Sequence, residues 1–323
     1  MFKHILVPLD GSGRAEQALP VAARLAHTSS AAITLLRVVD TSPASSPSAG
    51  AKPILIQTVS ETDIRLAKSY LDGIATSPMF THIHVEARAV AGLVSSTILL
   101  EAVSQQVDMI ILCSHGLTGV SRWTLGSVAE KIARYGTIPT LVLREGGPTL
   151  DKATSVRVLV PLDGSSQSEA ALAPAAQLAS ALSTPEKGAL HLLHIVKPAS
   201  NTHVVAGMTS EAQESPASIR MAKQYLDSTV GNFRNTSEDT ALAVSKLTVT
   251  SLVTSDSDVA HAIVQEAEQN SSSATGNANI IAMTAYGNNG PQRWTLGSIT
   301  ERVLHSTRLP LFIVQPPTTA ERR

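Results

Sequence analysis

The heptapeptide LVPLDGS spans Leu6 to Ser12 and returns unchanged at Leu159 to Ser165. In each copy a short apolar run closes on Pro, Asp and Gly, the pattern of a buried strand that stops at a turn. A second stretch, RWTLGS, occupies Arg122 to Ser127 and again Arg293 to Ser298. The two motifs keep their order and lie far apart within each copy, so the repeat has the size of a whole domain rather than a solenoid unit. Two copies of one domain are expected. The first runs over 1–145 and the second over 156–323, joined by a linker, 146–155, in which Gly146, Gly147 and Pro148 break the pattern.

Outward from Leu6, the first copy reads as alternating strands and helices. His4 to Leu9 is the first strand, and Ala15, Leu19, Ala22, Ala23 and Ala26 recur at helical spacing after Ser12. Ala32 to Val39 is β-rich, Thr41 to Pro53 is a Ser/Pro/Ala loop, and Asp63 to Ile74 is a helix. A strand is expected over His82 to Val90, a helix over Ser96 to Gln105, and a fully apolar strand over Val107 to Cys113. A helix starting near Gly126 and a last strand over Pro139 to Arg144 complete the copy.

The second copy repeats the order, with strands near Val156 to Leu162, Ala189 to Val196, Ser245 to Val253, Asn279 to Ala285 and Leu309 to Gln315. Its helices are expected near Gln167 to Leu182, Ser218 to Val230 and Val259 to Glu268, and from Gly297. Extra residues fall in the polar stretches Ser183 to Lys187, Asn235 to Thr240 and Ser271 to Gly276. Strands apolar on both faces and separated by helices specify an α/β fold with a parallel sheet, doubly wound, in each domain.

Composition narrows the function classes. Hydrophobic residues make up 43% and charged residues 16% of the 323, which suits folded domains with covered sheets. A net charge of -1 and only 3% aromatics argue against a nucleic-acid partner. The single cysteine, Cys113, has no internal disulfide partner, which suits a reducing cytoplasm. The chain enters its first strand directly after Met-Phe-Lys-His, and its longest uncharged apolar run, Ala89 to Leu100, is too short to span a bilayer. No membrane association is expected.

In an open parallel sheet, ligands bind beyond the carboxyl ends of the strands, where strand order reverses. The most closely repeated residues fall there. Asp10 and Asp163 end the first strands, and the segments from Cys113 to Gly116 and from Thr284 to Gly287 end the fourth. Nine residues separate Gly116 from Gly126, and nine separate Gly287 from Gly297; Ser127 or Ser298 follows. Glycine admits close approach of a phosphate, helix N-terminal N–H groups point at it, and the serine adds a donor or caps the helix. Each aspartate accepts only, which suits hydroxyl or amino donors of a ribose or base, although an Asp before Gly also serves as a plain turn residue.

Other readings carry less. Gly11-Ser-Gly13-Arg-Ala-Glu16 lacks the third glycine of a dinucleotide fingerprint, and no Gly-Lys-[Ser/Thr] of a P-loop occurs. Cys113 has only His115 nearby as a base, and the counterpart of His115 is Tyr286, so a small buried residue is the better reading than a nucleophile. No metal-ligand spacing recurs between the copies. Trp123 and Trp294 read as packing anchors; Arg122 and Arg293 suit a phosphate contact or a solvated loop equally.

These residues resemble the universal stress protein family, whose nucleotide-binding members carry Gly-x2-Gly-x9-Gly-[Ser/Thr] after the fourth strand and an Asp after the first. The resemblance covers nearly the whole chain and makes it look like a tandem member. It implies a five-stranded sheet of order 3-2-1-4-5 in each domain, binding of ATP or a related adenine nucleotide with or without Mg, and a role in stress-response regulation. It also implies pairing of the two domains through their last strands, with further homo-oligomers left open. By position, the first copy would use Pro8, Asp10, Val38, Leu112, Cys113, Gly116, Gly126, Ser127 and Val128. The second would use Pro161, Asp163, Ile195, Met283, Thr284, Gly287, Gly297, Ser298 and Ile299. The first motif glycine is replaced by Cys113 and Thr284, so two unequal sites are expected. A slow ATPase or another nucleotide-using enzyme on the same fold, or an interaction module without a ligand, are the alternatives.

Overall fold

The computed structural model describes residues 2–42, 59–114, 125–198, 216–234, 245–269, 277–287 and 296–316. The chain divides between Glu145 and Gly146 into two compact units. In the first, β1 (His4–Pro8) leads through a 3-10 turn (Ala15–Gln17) to α1 (Ala18–Ser29) and β2 (Ala32–Asp40). Then follow α2 (Glu61–Ala75), β3 (Val85–Gly92), α3 (Val94–Ser104), β4 (Met109–Cys113), α4 (Ser127–Tyr135) and β5 (Thr140–Leu143). The strands lie in the order β3-β2-β1-β4-β5 and pair in parallel.

Strand β1 is central because its residues are apolar toward both faces. Ile5, Leu6 and Val7 are fully buried, and burying each such side chain contributes about 1.5–3 kcal/mol. Leu6 packs in one cluster with Leu36, Ile98, Ile110, Leu112 and Val142, which ties β2, α3, β4 and β5 to one face of the sheet. Helix α2 starts at a capping box in which Ser60 and Asp63 satisfy each other's backbone N–H groups. The hydrogen bonds from Ser60 hold the Asp63 carboxyl below its ordinary value.

Several boundaries differ from the sequence expectation by two or three residues, and the third strand shows why. The third strand begins at Val85 rather than His82, because His82 sits in the left-handed region at φ 66 directly after the 3-10 turn Pro78–Phe80. That conformation cannot enter a ladder.

The second unit repeats the plan with β6 (Arg157–Leu162), α5 (Ser166–Glu169), α6 (Leu172–Ser183), β7 (Gly188–Val196) and α7 (Pro216–Arg234). It continues with β8 (Leu247–Ser255), α8 (Val259–Gln269), β9 (Ile280–Thr284), α9 (Ser298–Ser306) and β10 (Leu311–Val314). Its parallel order is β8-β7-β6-β9-β10, the same as the first. The helix expected over Gln167 to Leu182 is split, since α5 ends at Glu169 and α6 begins at Leu172. Of the three polar expansions, the first runs from the last residue of α6, Ser183, to the start of β7; the other two fall outside the described residues.

In both units the first strand sits between the second and the fourth, so the chain turns to opposite sides on leaving them. That reversal opens a crevice beyond the carboxyl ends of β1 and β4, and of β6 and β9.

Candidate functional site

Each crevice is bounded on one side by an Asp-Gly-Ser loop. Oδ1 of Asp10 accepts from the backbone N–H of Ser12 at 2.9 Å and from its hydroxyl at 2.6 Å. Asp163 accepts from Ser165 through the same two groups. Each serine Oγ in turn accepts the N–H that opens the next turn, from Ala15 and from Ser168, both at 3.1 Å. The intervening Gly11 and Gly164 sit at φ +85 and +86, where a side chain would be strained. The turn reading of these aspartates is therefore correct, and it coexists with the site reading. The turn fixes the carboxylate at the mouth of the crevice through its Oδ1.

The opposite wall is the start of the fourth helix. Gly126 N–H donates to Ser114 O, and Gly297 N–H donates to Ala285 O, each at 2.7 Å. These bonds return the chain to the end of β4 or β9. Gly126 and Gly297 are the N-caps, in extended conformation, and no side chain caps either helix. Ser127 and Ser298 are the first residues of their helices, both exposed, so the helix-cap alternative for them is corrected. A helix start bare of side-chain caps turns its first N–H groups and the positive end of its dipole toward whatever fills the crevice.

The two walls meet in the second domain. A Cβ placed on Gly287 would overlap Oδ2 of Asp163 and stand 3.3 Å from Cγ, so any larger residue there would displace the carboxylate. A Cβ on Gly297 would lie 3.2 Å from Ala285 O and 3.3 Å from Tyr286 Cα. Gly116, His115, Arg122, Trp123, Arg293 and Trp294 lie outside the described residues.

The residues replacing the first motif glycine differ in burial, Cys113 being half-buried and Thr284 buried. Cys113 Sγ points toward Ala15 O at 3.9 Å. Burial, reinforced by the charges of Asp10 and Glu145, pushes its thiol up to about 12, which leaves no thiolate for nucleophilic work. Thr284 is buried and donates to Tyr286 O at 3.0 Å, while Thr300 donates to Thr284 O at 2.9 Å. Leu112 and Met283 are buried core residues. Val38 and Val128 pack, partly buried, on the cluster of Leu6 and Leu112. Pro8, Pro161, Ile195 and Ile299 are half-buried at the strand and helix ends that rim the crevice.

Sequence reasoning missed a second duplicated constellation. The Tyr70 hydroxyl on α2 donates to Glu16 Oε1 at 2.8 Å, and the Tyr225 hydroxyl on α7 donates to Glu169 Oε1 at 2.9 Å. Burial, then the glutamate, raises both tyrosines well above their ordinary range. Each pair bolts the second helix to the turn that follows the Asp loop. Against each tyrosine ring stands a residue of the second strand: Arg37, with Cζ 4.9 Å from the Tyr70 centroid, and His194, edge-on to Tyr225 at 5.6 Å. The signal was present in the order Glu…Arg/His…Tyr shared by both copies.

Among the described residues no group of three or more His, Cys, Asp or Glu is placed to hold a metal ion. None of their helices is long and apolar enough to cross a membrane.

A sequence model of the universal stress protein family matches residues 1–144 and again residues 155–315. The chain belongs to the universal stress protein family. Among its relatives in that family, Universal stress protein MJ0531 of Methanocaldococcus jannaschii is 27% identical over 146 residues, 45% of this chain and 84% of that protein. Universal stress protein Mb2028c of Mycobacterium bovis is 24% identical over 213 residues, covering 66% of this chain and 63% of its own length. A universal stress protein structure from Archaeoglobus fulgidus superimposes with a TM-score of 0.63 at 19% identity, over 97% of this chain and 98% of that one. At that identity the likeness speaks for the fold, which here is the tandem arrangement of the family.

Proposed function

We propose that each domain of this universal stress protein binds an adenine nucleotide, ATP or a close relative, and that the chain acts as a nucleotide-responsive regulatory protein. The observation that carries this reading is the opposition, in both domains, of an acceptor-only carboxylate and a glycine-capped helix start across one crevice. The carboxylate suits ribose or adenine donors, the helix start suits phosphates, and the glycines permit close approach. Leu112, Val38 and Val128 in one domain, and Met283, Ile195 and Ile299 in the other, supply apolar surface for a base. The contacts of Cys113 with Ala15 O and of Thr284 with Tyr286 O are compatible with this reading.

The domains also end alike. In each unit's own order, β5 and β10 are edge strands, short and apolar as TLVL and LFIV. Apolar edges need a cover, and we propose that the two cover each other within the chain.

The deciding experiment is extraction of whatever co-purifies with the protein, identified by mass, followed by calorimetry of the stripped protein with ATP, ADP and AMP, with and without Mg. Up to two sites are expected. No heat with any of the three at millimolar concentration would overturn the reading.

A further inference from the structure

The Asp-Gly-Ser loops of the two domains are built alike, but they are backed by different chemistry. Behind the first loop stands the Arg37 guanidinium. Its Nη atoms lie 3.1 and 3.2 Å from where a Cβ of Gly11 would be, and its other face covers the Tyr70 ring. Behind the second loop the same place on the second strand is His194. Register fixes the equivalence, because Pro8 pairs with Leu36 and Pro161 with Leu193, one residue earlier in each case. The histidine does not fill the space that arginine fills, since nothing lies within 4 Å of a Cβ on Gly164. Its Nδ1 is buried and has no hydrogen-bond partner.

Among the described residues, the charged and titratable groups near His194 are few. Asp163 acts on it from the end of β6, and Glu169 of α5 stands beyond it, engaged by the Tyr225 hydroxyl of α7. Across the ladder, β8 presents Val253. Burial lowers its pKa from the ordinary value, and the Leu162 backbone and Asp163 charge offset part of that loss. A nucleotide bringing further negative charge to this crevice would favour the protonated ring still more.

We propose that Arg37 gives the first site a permanent positive charge behind its Asp loop, and that His194 gives the second site a conditional one. Acidification then tightens the second site for anionic nucleotides and leaves the first unchanged by this route. The proposal deepens the nucleotide reading above and rests on it for its ligand. By linkage, whatever nucleotide binding gains from protonation of His194, protonation gains from nucleotide binding. Arg37 and His194 face the tyrosine side of the loop, so they are positioning residues acting through the loop and its field.

The test uses the full-length protein. The His194 ring and the amides of Gly11, Ser12, Gly164 and Ser165 are followed by NMR from pH 8 to 5 without ligand. Gly164 and Ser165 should shift in step with the titration of His194, and Gly11 and Ser12 should not. With ATP added, the His194 midpoint should move up, and the ratio of second-site to first-site affinity should rise by about threefold or more between pH 8 and 6. The first site is the internal control for titration of ATP itself. His194→Arg should flatten the ratio, and Arg37→His should install the same dependence in the first domain. Amides of Gly164 and Ser165 that ignore the His194 titration, or a ratio that stays flat, would overturn the proposal. If ATP binds neither domain, the nucleotide reading fails, and the ligand-free amide titrations still decide whether His194 drives its loop. The Arg37→His swap keeps the matter decidable if His194→Arg does not fold.

Discussion

The backbone of Gly287 lies against the carboxylate of Asp163, so closely that a methyl group on the glycine would occupy the position of Oδ2. Two segments far apart in sequence, each chosen for its own recurrence, thus form the two sides of one contact. Gly287→Ala should displace the Asp163 loop at a cost of about 1–3 kcal/mol and remove nucleotide binding from the second domain while leaving the first intact. Thermal unfolding together with calorimetry reads both effects. Unchanged two-site binding in this variant would show that the contact is dispensable.

Gly297→Val should also abolish binding in its own domain. The reason is more local than phosphate access alone, since the side chain meets Ala285 O and Tyr286 before it meets any ligand. The corresponding Gly126→Val should silence only the first domain. Loss of both sites in either single variant would count against independent crevices.

The Cys113 thiol, pushed up to about 12, should resist thiol reagents at pH 8 in the folded protein and react at once after denaturation. Because the unfolded thiol ionises first, near its ordinary 9.0, stability from this group is intact below that pH. It falls as pH rises from 9 toward 12. Cys113→Ser should lessen the alkaline loss; fast labelling of the native protein at pH 8 would contradict the buried-thiol geometry.

Acid should trouble the second domain by a different route. His191 and His194 are both held below their ordinary 6.5, chiefly by burial. The unfolded chain takes up protons at these positions first, so stability present above about 6.5 is lost as pH falls from there through the folded values. Melting curves between pH 7 and 5 on His191→Gln and His194→Gln should show a smaller acid shift than the parent. Equal acid sensitivity in all three proteins would argue against the burial of these rings.

Turnover should be slow. The repeated acids that follow the two Asp loops, Glu16 and Glu169, are taken up by Tyr70 and Tyr225, and steady ATP hydrolysis is expected well below about 1 s⁻¹. Faster hydrolysis lost in Asp10→Asn or Asp163→Asn would establish an enzyme. A fragment of residues 1 to 146, which leaves β5 without its proposed cover, should dimerise or precipitate; sedimentation showing a stable monomer at high concentration would refute the strand pairing.

The alternation of strands and helices was legible because it depends on local patterns, such as the apolar run of Val107 to Cys113 and the punctuation of Asp10-Gly11, whereas the strand order came only from the family resemblance. The Asp163–Gly287 contact could be expected only in outline, since recurrence marks both residues but carries no distance. The serines after the motif glycines misled for a physical reason: Ser is a common N-cap, yet here glycine holds that place and leaves the helix start open. Tyr70 and Tyr225 were invisible as polar bolts. A lone tyrosine on an apolar helix face looks like core, and its glutamate lies more than fifty residues upstream.

Those bolts have an engineering corollary. Glu16 and Tyr70 stand 54 positions apart, while Glu169 and Tyr225 stand 56 apart, and the same bond closes in both. With β2 fixed in the sheet and α2 pinned by its tyrosine, the stretch joining them is tethered at both ends, so added length costs only the slowly growing entropy of a longer closed loop. The same holds between β7 and α7. Length added to either connection should therefore leave the Tyr70–Glu16 and Tyr225–Glu169 bonds closed.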